Sequence, residues 1–411
     1  MIFFSLYIDP GTGSMLFSLF IGIAAAASFG LRALFVKLRF IFSAGKAQKT
    51  SDKNIPYVIF SDHKRYWNVF KPICDEFESR QIPLVYYTAS PDDPALAAEY
   101  HFVRTEYLGE GNKPYAKLNM LYADILLSTT PGLDVYQWKR SRDVKYYVHI
   151  PHSIGDFSHY HMFGLDFYDA VLVSGDNQTQ FVRKMEDLRP NIKRKEIITA
   201  GSTYLDQMQE RLDSLPPQEQ NKRAVVLVAP SWGKNGILTR YGEKLLSSLQ
   251  KENDFDIIVR PHPQTVTSEK GILEPLQAKF HDIEWNFDND NFDVLRRSDI
   301  MITDFSAIIF DYTFIFGKPI IYAESQFDTM QYDADWIDEP DWHLRVLPEI
   351  GVKLKEEEFP SIGQVIKNAL NSKTLEQNRQ RLKDEAWQNK GSSAKSTVDY
   401  LIKKRDQISK E

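Results

Sequence analysis

The chain is poor in cysteine, has no excess of positive charge and lacks the common nucleotide-loop patterns, and each shortage closes a class of function. A single cysteine, Cys74, among 411 residues permits no intrachain disulfide and no cysteine-built metal cage, and it suits a reducing compartment. It reads as a small buried hydrophobe. Lysine and arginine number 50 against 56 aspartates and glutamates, a net charge of −6. No general basic field is present to attract nucleic acid, and no nucleic-acid partner is expected. Neither GxxxxGK[ST] nor GxGxxG occurs, and no short-period repeat or low-complexity tract is visible. What is present is a 43% hydrophobic chain, too apolar for disorder and, at roughly 100–200 residues per domain, long enough for two or three cores.

The N-terminal stretch is unlike the rest. From Met1 to Leu31 the only charged side chain is Asp9, and Met15–Leu31 is an uncharged, mostly apolar run. At ~1.5 Å per residue it spans about 25 Å, the short end of a membrane-crossing helix. Arg32, Lys37, Arg39, Lys46, Lys49 and Lys53 follow, against one Asp52, which by the positive-inside rule holds the C-terminal side in the cytoplasm. Residues 1–52 are therefore expected to form a membrane anchor with a basic juxtamembrane segment. A cleaved signal peptide, with Ala24–Ser28 as the cutting site, lacks a positive n-region. An interfacial helix extended by the amphipathic LRALFVKLRFIF stretch is the other alternative.

Beyond Lys53, β-rich runs alternate with helical patterns. The first series of expected strands is Tyr57–Ser61, Leu84–Thr88, Asp124–Ser128, Tyr146–Ile150, Ala170–Ser174 and Glu196–Ala200. A polar, two-proline run, Asp213–Arg223, breaks the pattern and reads as a domain boundary. A second series follows: Ala224–Ala229, Asp256–Arg260, Ile283–Phe287, Asp299–Thr303 and Pro319–Tyr322, with terminal helices near Pro360–Asn371 and Leu375–Ile408. The expected fold class is α/β: two Rossmann-like, doubly wound domains, 53–213 and 224–411, facing a cleft, behind the N-terminal membrane helix.

Ligands of such sheets sit beyond the carboxyl ends of the strands, and four such places carry polar groups. After YYVHI comes His149-Ile-Pro-His152-Ser153-Ile-Gly155-Asp156, where an imidazole at a strand end suits a general base. Four of the nine histidines (His149, His152, His159, His161) fall within thirteen residues. Asp156 is the only carboxylate among them, however, and no metal site is expected. After DIIV comes Arg260-Pro-His262-Pro, in which two prolines stiffen a loop carrying an arginine and an imidazole suited to phosphate. After DIMIT comes Thr303-Asp304-Phe-Ser306-Ala307-Ile-Ile-Phe-Asp311, with Ser306 as a natural N-cap and the following helix start as an anion site. After AVVLV comes Ala-Pro-Ser231-Trp232-Gly233-Lys234, a loop able to approach phosphate; packing between the two halves is the alternative role for Trp232.

In this order and spacing the motifs resemble the CDP-glycerol glycerophosphotransferase family, whose members make teichoic-acid-type wall polymers. The RPHP loop and the TDFSAIIFD run carry most of the resemblance, which covers about Tyr146–Tyr322. It implies a two-Rossmann, GT-B-like fold, a CDP-alcohol donor and no further cofactor, the need for a divalent metal being open. It also implies an acceptor hydroxyl on a lipid-linked or cell-surface polymer, with CMP released at a membrane. It makes His152 the base on the acceptor hydroxyl, His262 a second essential imidazole near the transferred phosphate, and Ser306 with its helix start the holder of the donor diphosphate. Ser153, Gly155, Ser231, Trp232, Arg260, Thr303, Asp304, Ala307 and Asp311 complete the expected substrate- and donor-binding set. Three positions depart from the family pattern: Ala307 stands where a second serine is common, Pro151 where a tryptophan is, and Gly233 where an arginine is. A nucleotide-sugar glycosyltransferase on the same fold, for which the acidic stretch Asp333–Asp341 would hold sugar hydroxyls, and a non-catalytic membrane-tethered binding protein are the competing readings.

Overall fold

The computed structural model describes residues 54–410 except 220, 289, 324–329, 331 and 339–340. The expected membrane helix at Met15–Leu31 lies outside the described residues; among those described, no helix is long and apolar enough to cross a membrane. From Ile55 on, the chain forms one compact unit built on two parallel sheets. The first contains β1 (Ile55–Ser61), β2 (Leu84–Thr88), β3 (Val103–Tyr107), β4 (Ala123–Ser128), β5 (Val144–His149), β6 (Ala170–Val173) and β7 (Glu196–Thr199), in the order β3-β2-β1-β4-β5-β6-β7. The second contains β8 (Ala224–Val228), β9 (Phe255–Val259), β10 (Glu284–Trp285), β11 (Ile300–Thr303), β12 (Ile320–Ala323) and β13 (Gly351–Leu354), in the order β10-β9-β8-β11-β12-β13.

Both sheets are doubly wound, as expected, because the central strands are apolar on both faces and helices must cover both. β4 and β11 are buried at every position. In each sheet the order reverses between the first and fourth strands, and this opens a crevice at the carboxyl ends. The crevices lie beside Ser61 and Ser128 in the first sheet, which are adjacent to register partners in the β1–β4 pair, and beside Val228 and Thr303 in the second.

Two strands were not expected. β3 and β13 are edge strands with alternating or charged sequences, VRTEY and GVKL, and edges tolerate such residues because one side faces solvent. β10 is shorter than the expected Ile283–Phe287. The expected terminal helix Leu375–Ile408 is two helices, Lys373–Ala386 and Ser393–Ile408, separated by a turn in which Asn389 and Gly391 have φ of 51° and 72°. That left-handed geometry ends a helix, and glycine adopts it freely.

The turn redirects the chain, so the last helix departs from the expected 224–411 grouping. Val398 and Leu401 join the core formed by Phe70, Ile73 and Phe77 of the helix Trp67–Ser79. The Tyr400 hydroxyl is 3.3 Å from that of Tyr146, and Arg405 Nε donates to Asp124 at 3.2 Å. Burying the two aliphatic side chains contributes about 1.5–3 kcal/mol each. A further core mixes the halves directly: Ile154, Leu205 and Met208 pack with Phe310, Trp342 and Trp387.

Where the chain crosses back, the Gln388 amide donates to the Ser174 carbonyl at 2.9 Å, and Gly175 faces the end of the helix Lys373–Ala386. A Cβ at Gly175 would meet the Glu385 carbonyl oxygen and lie 2.6 Å from the Ala386 carbonyl carbon. Its φ of −168° suits any residue, so the obstacle is space. Gly175→Ala should lower stability by about 1–3 kcal/mol through overpacking, read as a lower urea midpoint at unchanged slope; an unchanged midpoint would show that the crossing helix yields freely.

Candidate active site

The carboxyl ends of the two sheets border one cleft of about 1200 Å³. From the first half it is lined by Arg65 and Tyr66 after β1, by His152, Ser153 and Gly155 after β5, and by Tyr204. From the second it is lined by Arg260 and His262 after β9, and by Ser306, Ala307 and Asp311 around the start of the helix Ile308–Ile315. Eight of the expected site residues are thus brought to one space.

The His152 loop is fixed from beneath. Asn177 Nδ2 donates to the Ile154 carbonyl at 2.9 Å, and Gln178 Nε2 donates to the carbonyls of Ser153 and Gly155 at 3.0 and 2.7 Å. Both amides sit in the first turn of the helix Asp176–Leu188, a support that no local motif announces. The His152 ring lies between Tyr66, at 4.7 Å, and Tyr160, at 6.3 Å, and its Nδ1 is buried without a partner among the described residues. Burial, helped by the charge of Arg65, pushes its pKa down to about 4. The imidazole is therefore neutral at pH 7 and able to take a proton.

The other histidines of the cluster divide by environment. His149 is fully buried, its Nε2 is 3.0 Å from the Tyr160 hydroxyl, and burial lowers its pKa to about 3. His159 Nε2 is 3.2 Å from Asp341 Oδ2, and His161 stacks on Tyr332 with ring centroids 5.2 Å apart. Among the described residues no group of three or more His, Cys, Asp or Glu side chains is arranged to hold a metal ion.

On the opposite wall, His262 occupies the N-cap of the helix Pro263–Ser268, and its Nδ1 accepts from the Gln264 amide at 3.1 Å. In the neutral ring the proton then sits on Nε2, which becomes a donor. Burial lowers its pKa, against the opposing charge of Asp304. Arg260 is oriented by Asn286 Oδ1 and, at 2.7 Å, by the Asp288 carbonyl. Asp311 accepts from the Tyr204 hydroxyl at 3.1 Å, and burial raises its pKa to about 7.

Four expected residues stand behind the wall or at its rim, and Ser306 does not cap. Asp304 is fully buried: it accepts from the Ser231 amide at 2.9 Å, the Ile237 amide at 2.9 Å, the Phe305 amide at 2.8 Å and the Ser231 hydroxyl. Thr303 Oγ1 donates to the Ala229 carbonyl at 2.7 Å. Ser231, Thr303 and Asp304 frame the site, because a buried carboxylate needs donors and these loops supply them. Trp232 does not pack between the halves; it is 51% exposed and stacks on His262 at 6.4 Å. The N-cap position before Ile308 is Ala307, with no side-chain capping bond. Gly233, where an arginine is common in the resembled family, has φ of 93° and donates its amide to Glu269 at 3.0 Å. That backbone conformation explains a glycine there.

With this geometry in place, the comparisons can be read. A family model described as CDP-Glycerol:Poly(glycerophosphate) glycerophosphotransferase matches residues 164–343, a span that includes the RPHP loop and the Thr303–Asp311 run. The match covers less than half of the chain, and over that span the chain is similar to CDP-glycerol glycerophosphotransferases. Among solved structures, that of the wall teichoic acid polymerase TagF is similar, with a TM-score of 0.55 at 13% identity, over 92% of this chain and 98% of that one. S. aureus MnaA with UDP gives 0.58 at 10% identity over 87% and 98% of the two chains. The UDP-GlcNAc 2-epimerase from Neisseria meningitidis gives 0.51 at 12% identity over 85% and 100%. At these identities the likeness establishes the two-domain, GT-B-like fold and nothing finer. No curated sequence matches the chain.

Two outcomes test the site. Asp304→Ala strands three buried amides and a hydroxyl, and should destabilise the fold by about 3 kcal/mol or more, seen as a large drop in the denaturant midpoint. Stability should also fall as pH drops from 6.5 towards 3. The unfolded chain there binds a proton that buried His149 refuses, a slope of about 1.4 kcal/mol per pH unit for that residue. His149→Phe should flatten this slope; an unaltered pH profile would show that His149 is not the group refusing the proton.

Proposed function

We propose that this protein transfers glycerol phosphate, or a related alditol phosphate, from a CDP-alcohol to an acceptor hydroxyl. The observation that carries the reading is the facing of a neutral His152 on one wall by His262, with its Nε2 proton, and Arg260 on the other. The acceptor oxygen attacks the distal phosphorus of the donor. A new P–O bond forms, the P–O bond to the CMP phosphate breaks, and CMP leaves with the bridging oxygen. His152 takes the proton from the acceptor hydroxyl. His262 Nε2–H and Arg260 hold charge on the phosphoryl oxygens, and the amides before Ile308, beside Ser306, face the diphosphate. Phosphoryl transfer of this kind depends chiefly on positioning and electrostatics, which suits a cleft with stiff loops on both sides.

In this reading the first half is the acceptor domain and the second the nucleotide-donor domain. Asp311, with a carboxyl near neutrality and Tyr204 as its partner, suits a contact with donor hydroxyls. The acceptor belongs to a lipid-linked or surface polymer. The apolar Met15–Leu31 run with its basic flank holds the enzyme at the membrane where such an acceptor lies, with the catalytic domain in the cytoplasm.

The test is ligand stabilisation followed by turnover. CMP and CDP-glycerol at about 100 times Kd should each stabilise the protein by ~2.7 kcal/mol, with no response to UDP-N-acetylglucosamine. His152→Ala and His262→Ala should each lose at least a hundredfold in transfer while still binding CMP. A response confined to the UDP-sugar would favour the glycosyltransferase, and retained turnover in both variants would remove the two histidines from the chemistry.

A further inference from the structure

His343 lines the cleft and has no task in the transfer step. It is only 5% exposed, and its Nε2 is buried without a partner among the described residues. The first turn of the helix Trp342–Ile350 carries it there. Asp341 caps that helix, accepting from the Leu344 amide at 2.9 Å, and its other oxygen is 3.2 Å from His159 Nε2. The Trp342 amide donates to Asp156 at 3.0 Å. Both ties reach the loop after β5, so the helix start is held against the first half and His343 lies between the two walls. Its ring centroid is 4.8 Å from that of Phe310, and a Cβ on Gly155 would come 3.9 Å from its Nδ1.

The chemistry of this group narrows its ligand. Burial, with the charge of His159 beside it, lowers the pKa of His343, so the ring is neutral at pH 7 and offers a phosphate no charge. The negative charge of Asp341 also reaches it and disfavours an anion further. A buried nitrogen without a partner costs free energy that a hydroxyl can recover, because a hydroxyl donates or accepts and so fits either tautomer. Its place narrows the ligand again. Gly155 follows His152 by three residues, and Phe310 stands in the first turn of the helix whose leading amides face the diphosphate. The alditol of the donor is the part that must lie between these walls while its phosphorus is attacked.

We infer that His343 Nε2 hydrogen-bonds a free hydroxyl of the alditol being transferred, and that Gly155 leaves the space in which that hydroxyl sits. His343 is then a specificity-determining residue that selects a polyhydroxy alcohol over a bare one. The inference rests on the phosphotransferase reading of the cleft and names the donor chemistry which that reading leaves open.

The experiment uses the full chain without acceptor. CMP, CDP-glycerol and CDP-ethanol, which lacks the free hydroxyls, are titrated calorimetrically into wild type, His343→Phe, His343→Gln and Gly155→Ala. Wild type should bind CDP-glycerol at least tenfold more tightly than CDP-ethanol. His343→Phe should reduce that preference to less than threefold with CMP affinity unchanged within twofold. His343→Gln, whose amide nitrogen can replace Nε2, should keep a larger share of it. Thermal melts should show His343→Phe folded, since it removes a buried polar group that has no partner. If that variant fails to fold, Gly155→Ala decides: contacts of 3.8 and 3.9 Å leave room for its methyl group, which should still narrow the preference at least threefold by taking up the hydroxyl's space. Equal affinity of wild type for the two CDP-alcohols overturns the inference, as does a preference that survives in His343→Phe and Gly155→Ala. A parallel fall in CMP affinity overturns it too, by moving His343 to the nucleotide. In each of these cases CMP still binds wild type and the phosphotransferase reading stands; failure of wild type to bind either CMP or CDP-glycerol defeats that reading and the inference with it.

Discussion

The site hangs on a carboxylate that does not face it. Asp304 closes β11 inside the protein and gathers the amides of Ser231, Ile237 and Phe305, three donors from the ends of two neighbouring strands and the start of a helix. An ionised carboxylate in that position is tolerable only because charge-assisted hydrogen bonds replace its water. The same bonds decide where the loop after β8 turns and where the chain leaves β11 toward Ser306. Asp304 also acts at a distance, as its negative charge partly offsets the burial that would otherwise depress His262 further. A residue type that suggests catalysis in a motif thus serves here as the frame on which the cleft-lining groups after β8 and β11 are set.

The first wall is arranged on a different principle. His152 lies against aromatic rings with Arg65 near by, and both features disfavour its charged form. A base for hydroxyl attack must be unprotonated when the substrate arrives, and aromatic packing secures this without a carboxylate partner. The pKa of about 4 also means that His152 is intrinsically a weak base. In the proposed reaction, acceleration then comes from holding the hydroxyl and phosphorus in line and from the opposing cations, in keeping with a transition state that asks for little proton abstraction early on.

The sequence made the central strands legible because parallel strands covered on both faces are nearly continuous apolar runs, AVVLV and ADILLS among them. It hid β3 and β13, whose edge positions allow Arg104, Glu106 and Lys353 to point outward. His152 and His262 could be singled out because each follows a strand, and strand ends border the crevice. Arg65 could not: it follows β1 in a stretch of polar residues with nothing local to distinguish it, and its place on the cleft wall beside Tyr66, near His152, is a property of the assembled fold. The contact of His159 with Asp341 spans 182 positions and was equally invisible. The break at Asn389–Gly391 was readable, since two residues tolerant of left-handed geometry in a polar stretch are a helix stop, but the long charged periodicity on both sides obscured it.

That break bears on how the two halves can move. Two-domain clefts often close on their ligands about a few residues, and a single linker such as 214–223 would leave wide freedom. Here the chain crosses a second time, between Ala386 and Ser393. Trp387 Nε1 donates to Asp206 at 3.1 Å, and the Ser393 amide donates to the same carboxylate at 3.0 Å. Two crossings close together, with Ile154 and Met208 buried in a core that also holds Phe310, tie the halves to one another more firmly than a single linker does. The His152 loop, through Ile154, and the helix Thr203–Asp213, through Leu205 and Met208, are both anchored in that shared core. In the proposed reaction, the second crossing helps keep His152 and His262 facing one another across the cleft.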